Sequence, residues 1–123
     1  MSKTAVLIST GEELLTGETT DTNSAWLAGA LWEKGFSVRR MLTTGDDLQS
    51  IVWALSEASR TASLVVCTGG LGPTVDDRTA EAVAAWSGVD REESSEALDQ
   101  IAERYARMGR SVSDTNRKQA FLP

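Results

Sequence analysis

Histidine is absent from this sequence, and cysteine occurs once, at Cys67. The two gaps remove the Ser-His-Asp and Cys-His nucleophile pairs, the histidine ligands of most catalytic zinc sites and any cysteine cage for zinc. A single thiol also excludes a disulfide within the chain. Any catalysis must therefore rest on carboxylates, hydroxyls, backbone amides, lysine, arginine or a hard metal ion bound through oxygen. Cys67 itself ends an apolar run, where a thiol more often fills space than reacts.

Positive charge is also short. Twelve Lys and Arg stand against 18 Asp and Glu, a net charge of −6, and the cations are scattered. No nucleic-acid partner is expected, because phosphate binding without sequence preference needs clustered cations. No apolar run is long enough for a membrane span, and TAVLIS near Met1 is too short for a signal-peptide core. The expected address is the cytoplasm, with no membrane partner. At 123 residues, with 41% hydrophobic and 24% charged, the chain has the makings of one domain with a modest core.

What is present is regular. TAVLIS, Thr4 to Ser9, is a continuous apolar run and predicts a strand buried on both faces. Beyond Gly11 and Gly17, the stretch DTNSAWLAGALWEKG places Trp26, Leu27, Ala30 and Leu31 on one helical stripe, with Asp21 or Thr22 as cap and Gly35 as stop. FSVRRMLTT predicts a second strand, near a sheet edge because Arg39 and Arg40 interrupt it. Leu48, Ile51, Val52 and Leu55 recur at i, i+3, i+4 and i+7 behind Asp46 and Asp47, marking a second helix. ASLVVCT, Ala62 to Thr68, predicts a third, fully buried strand. RTAEAVAAWSG reads as a third helix with Thr79 as N-cap and Gly88 as stop. A longer helix over Glu92 to Gly109 sets Leu98, Ile101, Ala102, Tyr105 and Met108 on one face, and one more turn starts at Asp114. Trp26 and Trp53 fall on helical stripes and read as core or interface positions.

This order implies an α/β fold, a parallel sheet with helices on both faces and right-handed crossovers. Three convincing strands are few for such a sheet, so the fold looks unfinished at Pro123. Ligands of open parallel sheets sit beyond the carboxyl ends of the strands, where strand order reverses. With the first strand central, the loops STGEELLTGETTDTN and TGGLGPTVDDRT meet there. Gly69, Gly70 and Gly72 can take positive φ and turn amides toward an anion, beside the third helix's N-terminus. The spacing is neither a P-loop nor GxGxxG.

Asp76 and Asp77 beside an anion cradle have two readings. They hold a divalent cation that bridges to phosphate oxygens, or they favour a helix N-terminus by about 0.3–1 kcal/mol each. On the first reading, neutralising Asp77 relieves repulsion from Asp76. Asp46 and Asp47 divide between capping and catalysis in the same way. Glu12 and Glu13 read as a solvated loop face, and Asp21 and Asn23, taken singly, as caps.

Four blocks, GEELLTGETTDTNSAWLAGAL, TTGDDLQSI, TGGLGPTVDDRTAEAVA and NRKQAFLP, resemble in order and spacing the N-terminal domain of CinA-type competence/damage-inducible proteins. That domain lies in the molybdopterin-binding superfamily of MoaB, MogA and gephyrin. The resemblance covers essentially the whole chain, residues 1–123. It implies a three-layer α/β/α domain with a mostly parallel sheet, MoaB/MogA-like, and a site between the loop after the first strand and the glycine loop. The superfamily's molybdopterin enzymes carry two aspartates for metal-assisted adenylyl transfer, matched here by Asp46 in TTGDDL and Asp77 in PTVDDRT. The CinA branch implies metal-dependent hydrolysis of a pyrophosphate such as ADP-ribose.

The reading that follows gives Asp46, Asp76 and Asp77 to a divalent metal (Mg, Mn or Co), and makes Asp46 and Asp77 catalytic. Gly69, Gly70, Gly72 and Thr74 cradle phosphate, Asp21 and Asn23 line the opposite loop, and Thr10 and Gly11 close the floor. The expected partner is a phosphate-bearing nucleotide or pterin, with molybdopterin the alternative ligand. A non-catalytic oligomerisation or interaction module is a third reading, and a homo-oligomer is expected because superfamily relatives self-associate. The family continues past this point into further strands, so the C-terminal part of the family domain is expected to be missing, as is the amidohydrolase domain that often follows.

Overall fold

The computed structural model describes residues 3–123. Its centre is β1 (Thr4–Thr10), buried from Ala5 onward and flanked by two parallel partners, β2 (Ser37–Thr44) and β3 (Leu64–Thr68), in the order β2-β1-β3. An uninterrupted apolar run belongs in such a middle position, where both faces are covered. β2 lies at an edge, as its arginines predict, with Arg39, Arg40 and Met41 exposed. β3 departs from expectation. Its apolar sequence predicts full burial, yet every residue of it is only half-buried, because β1 is its one sheet neighbour among the described residues.

Alternation along β1 sorts the helices into layers. Val6 and Ile8 pack with Ile51, Ala54, Leu55 and Ala58 of α3 (Leu48–Thr61) and Ala82 of α4 (Thr79–Ser87), forming the main core. Ser9 turns to the other face, where its hydroxyl meets Asp21 and Ser24 at the start of α2 (Thr22–Glu33). The result is the expected three-layer α/β/α arrangement. Trp26 and Trp53, however, lie outside the core of this chain, 72% and 58% exposed. The inward line of α2 runs through Ser24, Leu27, Ala28 and Leu31, and that of α3 through Ile51, Ala54, Leu55 and Ala58. Each tryptophan sits two residues, about 200°, from the first of these.

The remaining elements are α1 (Glu12–Leu15), β4 (Glu92–Glu93), the longer α5 (Ser95–Arg107), α6 (Asp114–Arg117), a 3-10 turn at Lys118–Ala120 and β5 (Phe121–Leu122). The sequence places Glu92 in a helix. In the structure Glu92 and Glu93 instead pair antiparallel with Leu122 and Phe121. Ser94 then caps α5 by accepting from the Ala97 amide, while its own N–H donates to the Ala120 carbonyl at 2.7 Å. Of the face predicted on this helix, Leu98, Ile101 and Tyr105 turn inward, and Ala102 and Met108 are exposed.

Candidate functional site

The loops that follow β1, β2 and β3 gather at the carboxyl end of the sheet. The floor is tied across strands: the Thr10 and Thr44 hydroxyls lie 3.3 Å apart, and the Gly11 N–H donates to the Thr44 carbonyl at 2.9 Å. Gly69 and Gly70 have φ of +85° and +69°, so the predicted left-handed turn is present at these two positions. Gly72 does not share it; its Cα faces the Asp77 carboxylate instead. Thr79 is the first residue of α4 rather than its cap. Its hydroxyl donates back to the Gly69 carbonyl at 2.7 Å and its N–H to Gly70 O at 3.1 Å, a long-range use of a side chain that local pattern reads as a cap.

The sequence-predicted acids divide between neighbouring recesses. Glu12, Glu13, Glu18, Asp46, Asp47 and Asp76 line one cleft of about 600 Å³, with Arg78 their only cation. Asp77 lines a second pocket of about 140 Å³, beside Gly70, Gly72, Arg91 and Lys118. Asp46 and Asp76 therefore come together, and Asp77 does not join them.

Their electrostatics diverge too. Burial raises the Asp46 carboxyl above the usual carboxylate range, as do the charges of Glu12, Glu13 and Asp76, against a bond from the Glu12 backbone. Its N–H donates to Glu12 Oε1 at 3.2 Å, which ties α1 to the loop after β2. Burial also pushes Asp77 up, but the Thr74 hydroxyl and amide, the Gly72 amide and the Lys118 charge outweigh it, and the net shift is downward. Thr74 donates to Asp77 Oδ2 from its N–H at 2.9 Å and from its hydroxyl at 2.8 Å, so Asp77 organises the glycine loop. Asp47 caps α3 by accepting from the Ser50 amide at 3.0 Å, and its pKa is lowered by the Ser50 hydroxyl first and by this amide second.

Asp21 caps α2 with Oδ1 on the Ser24 amide at 3.0 Å, and its Oδ2 accepts from the Ser9 and Ser24 hydroxyls at 2.8 and 2.7 Å. These bonds, that from the Ser24 hydroxyl foremost, hold its carboxyl below the usual range. Asn23 is exposed on the first turn of the same helix. Asp21→Ala removes the cap and leaves the buried Ser9 and Ser24 hydroxyls short of an acceptor. A loss of about 2–3 kcal/mol is expected, and urea unfolding measures it; a loss under about 0.5 kcal/mol would mean the network is not formed.

Among the described residues, no three His, Cys, Asp or Glu side chains stand close enough to hold a metal ion by themselves. The donor set is thus no protein-only cage. Asp46 and Asp76 on one cleft do suit the habit of Mg²⁺, which takes one or two carboxylates and fills its remaining positions with water and phosphate oxygens. Glu12, Glu18 and Arg78 are cleft residues that sequence reasoning misses. Their one legible signal is position, in loops that leave the carboxyl ends of β1 and β3.

Residues 6–123 match a family model described as a probable molybdopterin binding domain. A CinA-like protein of Anaeromyxobacter sp. (strain Fw109-5) is 47% identical over 117 residues, covering 95% of this chain and 28% of that protein. Nicotinamide-nucleotide amidohydrolase PncC of Shewanella oneidensis is 40% identical over 117 residues, again 95% of this chain and 28% of that protein. The chain spans under a third of the length of these relatives. The crystal structure of CinA from Thermoplasma acidophilum, a protein of unknown function, superposes with a TM-score of 0.91 at 38% identity, over 99% of this chain and 71% of that one. MoaB from Pyrococcus furiosus, a tungsten cofactor synthesizing protein, gives 0.65 at 26% identity over 88% and 66%. The chain therefore belongs to the family of the probable molybdopterin binding domain, and within it to the CinA-like proteins.

Proposed function

We propose that the acidic cleft at the carboxyl end of the sheet binds a phosphate-bearing nucleotide together with a divalent cation, Mg²⁺, Mn²⁺ or Co²⁺, and hydrolyses its pyrophosphate link, as in ADP-ribose. The observation that carries the reading is the meeting of Asp46 and Asp76 in a cleft where six carboxylates face one guanidinium. Such a cleft repels a bare phosphate, and a cation resolves the conflict. The volume of the cleft falls within the roughly 300–1,000 Å³ that small-molecule ligands occupy.

Asp46 and Asp76 would hold the cation, and its bound chemistry would be charge neutralisation at the phosphate oxygens. As a ligand of the cation, Asp46 would also position the attacking water, whose acidity the bound cation would raise. Water adds to one phosphorus and the bridging P–O bond breaks, so that ADP-ribose gives AMP and ribose 5-phosphate. Asp77 and Thr74 contribute by holding the glycine loop in shape.

The family description favours a second reading, a pterin in the same cleft. Both ligands carry phosphate. With ADP-ribose and Mn²⁺ or Co²⁺, chromatography is expected to find AMP, and chelation to abolish it. If neither this chain nor a longer form of the protein releases AMP, the hydrolase reading falls, and calorimetry with molybdopterin then decides the pterin reading.

A further inference from the structure

Asp76 and Asp77 adjoin in the chain yet serve different recesses, and the recess of Asp77 is unlike the acidic cleft in both size and charge. At about 140 Å³ it is smaller than the roughly 300–1,000 Å³ a whole small-molecule ligand fills, so it suits a small ion or one group of a ligand. Gly70 and Gly72 form one wall. Arg91, which precedes β4, and Lys118 and Gln119 of the 3-10 turn form another. The pairing of β4 with β5 brings these distant segments together.

Its cations outnumber its free anions. Lys118 donates from Nζ to the Thr74 carbonyl and offsets the charge of Asp77, whose Oδ2 is already taken by Thr74. Nearby Glu81 is paired with Arg78 at 3.0 Å. Arg91 is left over: it makes no ion pair or side-chain hydrogen bond among the described residues. An ammonium has three donors and Lys118 uses one, while the guanidinium of Arg91 offers its whole planar fork. The turn is held to the loop a second time by Gln119, whose Nε2 donates to Leu71 O at 3.3 Å.

We propose that this pocket is a site for a tetrahedral oxyanion of the phosphate class, bound by Arg91 and Lys118 and separate from the acidic cleft. It needs no divalent cation, because the cations are the protein's own, and it does not depend on the hydrolase reading. Two positive groups lining one small recess beside glycine backbone can make the charge-assisted contacts that phosphate oxygens favour.

The test is calorimetric titration of inorganic phosphate in the presence of a chelator, with the melting temperature of each protein recorded. The chain and its Asp46→Asn variant are expected to bind phosphate alike. Arg91→Gln is expected to weaken binding about tenfold or more with melting nearly unchanged, since Arg91 makes no side-chain hydrogen bond or ion pair among the described residues and acts on Glu81 only through its charge. Lys118→Gln is expected to weaken binding similarly and to melt earlier, because it also releases Thr74. No binding at millimolar phosphate, or equal binding by Arg91→Gln, overturns the proposal. Loss of binding in Asp46→Asn alone would move the anion to the acidic cleft and overturn it as well. Absence of ADP-ribose hydrolysis leaves it standing.

Discussion

Gly69→Ala is expected to lower the melting temperature by about 10–20 °C. Two costs combine. At φ +85° an alanine carries the left-handed penalty of roughly 1–2 kcal/mol, and its Cβ would collide with the Thr10 carbonyl at the end of the central strand. That carbonyl cannot easily yield, because β1 is held by a neighbour on each side. Overpacking of this kind typically adds about 1–3 kcal/mol. Gly17 is the control: its φ is +79°, but an added Cβ there meets nothing within 4 Å. Gly17→Ala should therefore show the backbone penalty alone, a drop of about 4–8 °C. Thermal melts of the two variants isolate the collision. Equal drops would mean that the glycine loop does not press on β1, and the geometry of both recesses would have to be redrawn.

The parts of the fold that are legible in the sequence are those whose pattern repeats. β1 announces itself by an unbroken apolar run, α3 by its four-residue apolar recurrence and α2 by its cap at Asp21. The elements that escape are too short to have a period. EELL makes one turn, and Glu92 and Glu93 become a strand only because Phe121 and Leu122 arrive from far along the chain. Edge position is equally hidden: the sequence of β3 records that its side chains are apolar, not which neighbour its backbone finds.

The site shows the same division. Asp46, Gly69 and Gly70 are legible from motif and turn chemistry. The separation of Asp76 from Asp77 is not, because adjacent residues in a turn point apart in ways that backbone torsions alone decide. Glu12 reads as a solvated loop acid, and only the alignment of β1 with β2 brings it to Asp46. Arg91 and Lys118 carry no joint signal, being 27 positions apart and united by the two-residue pairing of β4 with β5.

Asp46→Asn is expected to raise stability at neutral pH while cutting metal-dependent turnover about 10²- to 10⁴-fold. The two effects have one origin. Burial and the Glu12, Glu13 and Asp76 charges disfavour the ionised carboxyl, so its folded pKa exceeds the unfolded value of 3.8. Between those two values the folded state holds the extra proton, and stability falls as pH rises; above them the penalty is complete. The wild type should thus lose ground to Asp46→Asn as pH climbs from 3.8 through the raised value, and the gap should stay constant beyond it. Asp77→Asn should behave oppositely. The sequence alone suggests that it relieves repulsion from Asp76, but in the structure the Thr74 and Gly72 bonds and Lys118 lower the folded pKa of Asp77 below 3.8. Its contribution is present above that value and lost as pH falls through the folded one, so the asparagine variant should be less stable at neutral pH, by about 1 kcal/mol. Melting curves of both variants between pH 3 and 8, read beside AMP release from ADP-ribose with Mn²⁺, separate a working acid from a structural one. A lower melting temperature for Asp46→Asn at pH 7, or full turnover without its carboxylate, would remove Asp46 from the centre of the cleft's chemistry.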